Sequence, residues 1–146
     1  MKKRSEMREA AFMLIFEKLF SKDSCDEIIE CAKEADEYDF DENACRLFRS
    51  VTEKAEELDG IIARYSEKRK VERICKVSVA VLRLAIYECL YEDDVPANVA
   101  ASEAVIISQK YSPENDTAFV NGLLGKFTRS DEIPEAKRLA VQSEKR

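Results

Sequence analysis

The sequence predicts an all-α protein, and three observations carry that reading. Only three Gly and three Pro occur in 146 residues, whereas β-structure needs turn residues at short intervals. Ala, Leu, Glu, Lys and Arg, the residues of highest helix propensity, are abundant. The stretch Val77–Tyr91, VSVAVLRLAIYECLY, is apolar on nearly every side and free of Gly and Pro. A helix with almost no polar face must have neighbours all round, so this one is read as the core helix of a bundle. It is too short for a bilayer, where ~20 apolar residues are needed, and it carries Arg83 and Glu88. A chain of this length is one ordinary domain or two small subdomains, and it can bury a core without a metal or disulfide staple.

The elements follow in order from periodicity. Ser5–Phe20 reads as the first helix, with Ser5 as candidate N-cap and Phe12, Ile15, Phe16, Leu19 and Phe20 as its i, i+3, i+4, i+7, i+8 stripe. Ser24–Glu34 has a thin apolar side of Ile28, Ile29, Cys31 and Ala32, and Tyr38–Asp41 connects onward. One long helix is expected from about Glu42 to Tyr65, striped by Leu47, Val51, Ala55, Leu58, Ile61, Ile62 and Tyr65; Gly60 marks a bend or a close helix contact. These three helices can form a first bundle. The basic segment 67–76 leads into the central helix, expected over Val71–Tyr91 and ended by the approach to Pro96. Helices over Ala97–Tyr111 and Thr117–Phe127 follow, separated by a turn at 112–116 in which Asn115 and Asp116 read as turn and cap residues. Gly122 and Gly125 weaken the last helix, which points to tight packing. The polar tail from Ile133 to Arg146 reads as a short helix or disorder.

Composition argues against several function classes. There is no His, so a Ser or Cys nucleophile lacks its usual base, and no G-x-G-x-x-G or P-loop pattern occurs. No catalytic residue, cofactor or metal is expected. The five cysteines include no C-x-x-C pair, which argues against structural zinc. Free cysteines with neither signal peptide nor membrane span read as a reducing cytoplasm.

The net charge of −6 conceals a segregated distribution. Residues 23–42 carry ten carboxylates against Lys33 alone. Two other stretches are basic: Lys2, Lys3, Arg4 and Arg8, of which Arg4 and Arg8, four apart, can project from one face of the first helix, and Arg64, Lys68, Arg69, Lys70, Arg73 and Lys76. Phosphate binding depends on such local fields and not on the sum, although a solvated polar face explains the same residues.

Four strings carry a resemblance: LDGIIARY (58–65), VLRLAIYEC (81–89), DVPANVAASEAV (94–105) and FVNGLLGK (119–126). In this order and spacing they resemble the NusB transcription antitermination family, and MREAAFMLIFEKLF resembles that family's first helix. The resemblance implies two three-helix bundles packed on each other, divided here at about 1–66 and 67–130 with a polar tail at 131–146. It implies binding of boxA RNA of ribosomal RNA operons together with NusE, a small-subunit ribosomal protein, within an RNA polymerase antitermination complex, as a monomer or a homodimer.

Carried over by position, the RNA-binding candidates are Lys2, Lys3, Arg4, Arg8, Tyr65, Arg69, Lys70 and Phe119, and Phe16 is the candidate contact for NusE. The family's Arg cluster is interrupted here by Ser5, Glu6 and Met7, and each missing cation removes a phosphate contact. Tyr65 and Phe119 suit base stacking, the way splayed single-stranded RNA is read. Phe119 lies one residue before the stripe 120, 123, 124, 127, about 100° around the helix, so it borders the core. The blander reading makes Phe119 a core aromatic and Tyr65 a helix-end ring with its hydroxyl in water. Arg83 and Glu88 are read as structural ion pairs or helix-terminus bonds. Two alternatives to the antitermination factor stand: a helical protein–protein adaptor, and an RNA-targeting module of the kind fused to ribosomal RNA cytosine methyltransferases.

Overall fold

A computed structural model describes residues 4–35, 39–67 and 69–137. Lys2, Lys3, Tyr38, Lys68 and the tail from 138 onward lie outside the described residues. Among the described residues all regular structure is helical: α1 (Arg4–Lys18), α2 (Cys25–Ala35), α3 (Glu42–Glu53), α4 (Ala55–Tyr65), α5 (Lys76–Tyr91), α6 (Ala97–Tyr111) and α7 (Glu114–Thr128), with a 3-10 turn at Val71–Arg73 before α5. No helix among them is long and apolar enough to cross a membrane. The chain divides into two compact units, one ending at Ala55 and one beginning at Glu56.

In the first unit α1 packs against α3 and α2. Phe12, Leu14 and Ile15 of α1, Ile28 of α2, and Leu47 and Phe48 of α3 are all buried. Ser5 lies inside α1 and does not cap it. At α2 the Ser24 hydroxyl accepts from the Glu27 N–H (3.2 Å) while the Glu27 carboxylate accepts from the Ser24 N–H (3.0 Å). This reciprocal capping box starts the helix one residue after the serine. Its hydrogen bonds hold the Glu27 carboxyl below its ordinary 4.5. Asp41 caps α3 by accepting from the Ala44 N–H at 2.9 Å.

The long helix expected over 42–65 is two helices. The break falls at Lys54, which leaves helical geometry at φ −99° and ψ 8° while its N–H still bonds back to α3. Gly60 is an ordinary position within α4, and a Cβ added there would meet nothing within 4 Å, so it marks neither a bend nor a close contact. The unit boundary follows this break, a helix earlier than the division near residue 66. Side-chain bonds explain why: α4 is tied to the elements that follow it in sequence.

In the second unit α5 packs against α6 and α7, and 11 of its 16 residues are buried, which is what its nearly all-apolar circumference requires. Arg83 donates a bidentate pair of hydrogen bonds to Asp59 of α4, at 2.8 and 2.7 Å. The charge that α5 carries into its core is thereby matched, and α4 is fixed against it. The Tyr91 hydroxyl donates to Glu57 at 2.6 Å, a second tie between the same helices. At the far end of α5 the carbonyls of Glu88 and Glu92 accept from the buried Lys137 ammonium. A cation on the last carbonyls satisfies groups that the helix cannot, and it complements the dipole. Burial lowers the Lys137 pKa, against the raising influence of neighbouring carboxyls. Burial pushes the Cys89 thiol up to about 12, so it serves as a small hydrophobe. The segment after α7 is therefore no simple polar tail: Ile133 and Lys137 are both buried.

The turn expected at 112–116 is shorter. α7 begins at Glu114, with Asn115 and Asp116 in its first turn, because the Asp116 and Thr117 N–H groups already bond to the Pro113 carbonyl. Ser108, Ser112 and Thr117 join α6 to α7 through hydroxyl bonds of 2.9 and 2.8 Å.

Candidate nucleic-acid interface

Four of the residues selected from sequence meet in the second unit. Tyr65 ends α4, Arg69 and Lys70 lie in the connection to α5, and Phe119 stands on α7; all four line one concave surface of roughly 740 Å³. The core stripe of α7 explains how Phe119 reaches it. Val120, Leu123, Leu124 and Phe127 are buried, and Phe119, one step round the helix, is only half-buried. The Arg69 guanidinium carbon lies 4.6 Å from the centroid of the Phe119 ring, a cation–π contact that holds a positive charge beside an aromatic face.

Tyr65 is held from two sides. Its ring packs edge-on against Phe127, centroids 5.7 Å apart at 76°. Its hydroxyl donates to Glu132 at 2.5 Å, so the phenol that the blander reading leaves in water is bonded to protein. That bond, foremost among several influences, raises the tyrosine pKa above 10 and keeps the ring neutral. Burial alone raises the Glu132 carboxyl, but bonds from Tyr65 and Arg64 outweigh it and leave it below 4.5. Because the folded-state pKa is depressed, this cluster stabilises the fold above the unfolded value and stops doing so as pH falls through the folded one. The thermal midpoint is accordingly expected to drop more for the wild type than for Glu132→Gln between about pH 6 and about pH 3. Equal drops would show that the carboxylate contributes nothing.

Arg73, Gly122 and Lys126 also line the surface and were not among the residues selected for RNA. Arg73 belongs to the basic segment already recognised. Phe119, Gly122 and Lys126 stand at i, i+3 and i+7, one face of α7, so helical spacing contained the signal for Lys126. Gly122 and Gly125 do not mark tight packing. A Cβ at Gly122 would meet nothing within 4 Å, and one at Gly125 would touch only the Arg129 side chain, at 3.4 Å. At Gly122 the missing side chain leaves the surface open. Gly122→Ala is expected to raise stability by about 1 kcal/mol through helix propensity while weakening RNA binding by raising the floor. A thermal melt and an affinity measurement on one preparation separate the two effects.

The other selected residues belong to the first unit. Arg4 is exposed on α1, whereas Arg8 is buried, at 3%. The four-residue spacing therefore does not give two surface cations; Arg8 is part of the packed side of α1, and its truncation reports on stability before it reports on phosphate. Lys2 and Lys3 lie outside the described residues. Phe16 is half-buried within an aromatic row that runs along α1 and into the turn after it: it stacks with Phe12 (6.0 Å) and meets Phe20 edge-on (5.0 Å), and Phe20 is 64% exposed. Among the described residues no group of three or more Cys, Asp or Glu is placed to hold a metal.

Known proteins resemble the chain over most of its length. The NusB family model matches residues 5–129. The transcription antitermination protein NusB of Clostridium acetobutylicum is 39% identical over 132 residues, covering 88% of this chain and 97% of the relative. The solved structure of T. maritima NusB superposes with a TM-score of 0.82 at 35% identity, covering 95% of this chain and 99% of that one. A crystal structure of antitermination factors NusB and NusE in complex with dsRNA shares the fold, at TM-score 0.74, 22% identity and coverage of 84% and 93%. With a family model spanning both units and relatives aligned over nearly their whole length, the chain belongs to the NusB family.

Proposed function

We propose that this chain is a non-catalytic RNA-binding factor of transcription antitermination, acting in the cytoplasm. It binds boxA-like RNA of ribosomal RNA operons together with NusE and promotes processive elongation by RNA polymerase. The observation that supports this most directly is the second unit's concave surface, where Tyr65, Arg69, Lys70 and Phe119 combine cations with two aromatic rings. Cations supply affinity for any phosphate backbone, and the rings supply stacking platforms for unpaired bases. Arg4, Lys2 and Lys3 of the N-terminal segment add phosphate contacts in this reading. Relatives support it too: the C. acetobutylicum protein is named a transcription antitermination protein, and the fold is shared with a NusB solved with NusE and dsRNA.

For the protein partner, the row Phe12–Phe16–Phe20 offers an aromatic edge that widens toward solvent, and Phe16 is proposed to contact NusE. Binding of boxA RNA and of a scrambled RNA, by the chain alone and mixed with NusE, tests the function. Tighter and sequence-selective binding in the mixture is expected. No selective binding in either state would leave the adaptor reading.

A further inference from the structure

One carboxylate stands inside the cationic surface. Glu67 lines it beside Arg69, Lys70 and Arg73, and its carboxylate is ion-paired with Lys126 of α7. Its backbone is unusual as well. Glu67 has φ 61°, and it is the one non-glycine residue of positive φ among those described. It lies one residue beyond Ser66, which follows the end of α4 at Tyr65, in the left-handed position that terminates helices and that glycine or asparagine ordinarily fills. Buried Ser66 holds the turn. The Ser66 N–H donates to the Ile62 carbonyl at 2.9 Å, its hydroxyl donates to the Arg69 carbonyl at 2.6 Å, and the Arg69 N–H donates back to the Ser66 carbonyl at 3.2 Å. The turn that places Arg69 over Phe119 thus also fixes Glu67 where it meets Lys126. A side chain kept in a strained position, with its charge opposed to that of its surroundings, calls for an account in terms of function.

We infer that Glu67 is a built-in competitor of the RNA backbone: it occupies Lys126 in the free protein, and a phosphate must displace it when RNA enters the cleft. This rests on the proposed RNA-binding function and adds a residue that sets its strength. The physics is an exchange of anions. A Lys126 already neutralised by Glu67 brings no net positive charge to the phosphate, so fewer counterions leave the RNA and this contact adds little affinity and little salt dependence. The uncovered carboxylate then repels the incoming backbone. Weakly held RNAs of any sequence are disfavoured, and the complex relies on its base contacts. The pair is solvent-exposed, with side chains 47% and 71% accessible, so it can open without disturbing the core.

Glu67→Gln tests the inference, since it removes the charge and keeps the length. RNA affinity is measured with the NusE mixture, for boxA and scrambled RNA, across a salt series. Glu67→Gln is expected to tighten both RNAs by about three- to fivefold near 0.1 M salt and to steepen the log–log salt slope by about 0.7, one single-strand phosphate contact. The gain is expected to shrink in a Lys126→Gln background. Unchanged or weaker binding with an unchanged slope would overturn the inference, and so would an equal gain in both backgrounds, because Glu67 would then act only as a distant charge. Absence of RNA binding by the wild-type mixture would instead strike the functional reading. A thermal melt of each variant confirms that the fold is intact, and Glu67→Gly, which removes both charge and backbone strain, is expected to bind at least as tightly as Glu67→Gln.

Discussion

Phe119→Ala is expected to lower the affinity for boxA RNA by about tenfold or more while leaving the fold in place. Stacking of one base on an aromatic ring is worth ~1–3 kcal/mol, and each 1.4 kcal/mol is a factor of ten. The ring has a second task, because the Arg69 guanidinium rests 4.6 Å from its centroid. Losing it frees a long side chain that the ring had pre-positioned for phosphate, so backbone contacts weaken along with stacking. The fold survives because the neighbouring stripe of α7, Val120, Leu123, Leu124 and Phe127, makes the core contacts and Phe119 lies beside it. Phe119→Trp keeps a stacking face and should retain most of the affinity. Titration of a labelled RNA with the three proteins, checked by thermal melts, separates stacking from stability. If alanine binds as tightly as phenylalanine, the ring is a packing residue.

Phe127→Ala is expected to cost about 3–5 kcal/mol of stability, as truncation of a large buried aromatic does. Phe127 is completely buried, and its ring is the surface against which Tyr65 packs. For a unit of this size such a loss lowers the thermal midpoint by roughly 10 °C or more. Tyr65 would then keep its hydroxyl bond to Glu132 but lose the ring contact that orients it, so RNA binding should also weaken in protein that remains folded. Phe127→Leu, which refills most of the volume, is expected to recover much of the stability and less of the RNA affinity. A Phe127→Ala protein that melts like the wild type would show that the core collapses around the gap.

Much of the architecture was legible because it depends on burial periodicity. The nearly all-apolar run Val77–Tyr91, a strand candidate by its Val and Ile alone, reads as a surrounded helix by its Leu, Ala and Glu content, and α5 is one. Phe119 could be placed at the edge of the core from its offset of one residue, because helical geometry converts spacing into angle. The break at Lys54 was not legible. No glycine or proline marks it, and the apolar stripe runs through it unchanged, so periodicity alone joins α3 to α4. Glycines misled in the other direction: Gly60, Gly122 and Gly125 read as packing signals, yet none meets a neighbour's backbone, and at Gly122 the openness itself is the feature.

The site divides in the same way. Tyr65, Arg69, Lys70 and Phe119 were selected partly by resemblance, and three-dimensional packing draws them to one surface. Arg8 shows the limit of residue type as evidence. An arginine four residues from another reads as a surface pair, but α1 turns this one inward. Glu67 shows a deeper limit, since a glutamate in a charged loop carries no sequence mark of its left-handed backbone or of its distant partner Lys126. Contacts between residues far apart in sequence set both.

The central claim is that RNA lies on the surface between Tyr65 and Phe119. Photo-crosslinking tests it most directly, with 4-thiouridine-substituted boxA RNA bound to the chain and NusE and the crosslinked peptides identified by mass spectrometry. Crosslinks on peptides containing Tyr65–Arg73 and Ala118–Lys126 are predicted, and they should vanish with scrambled RNA at high salt. Crosslinks confined to other surfaces, with those two peptides unmodified, would contradict the account.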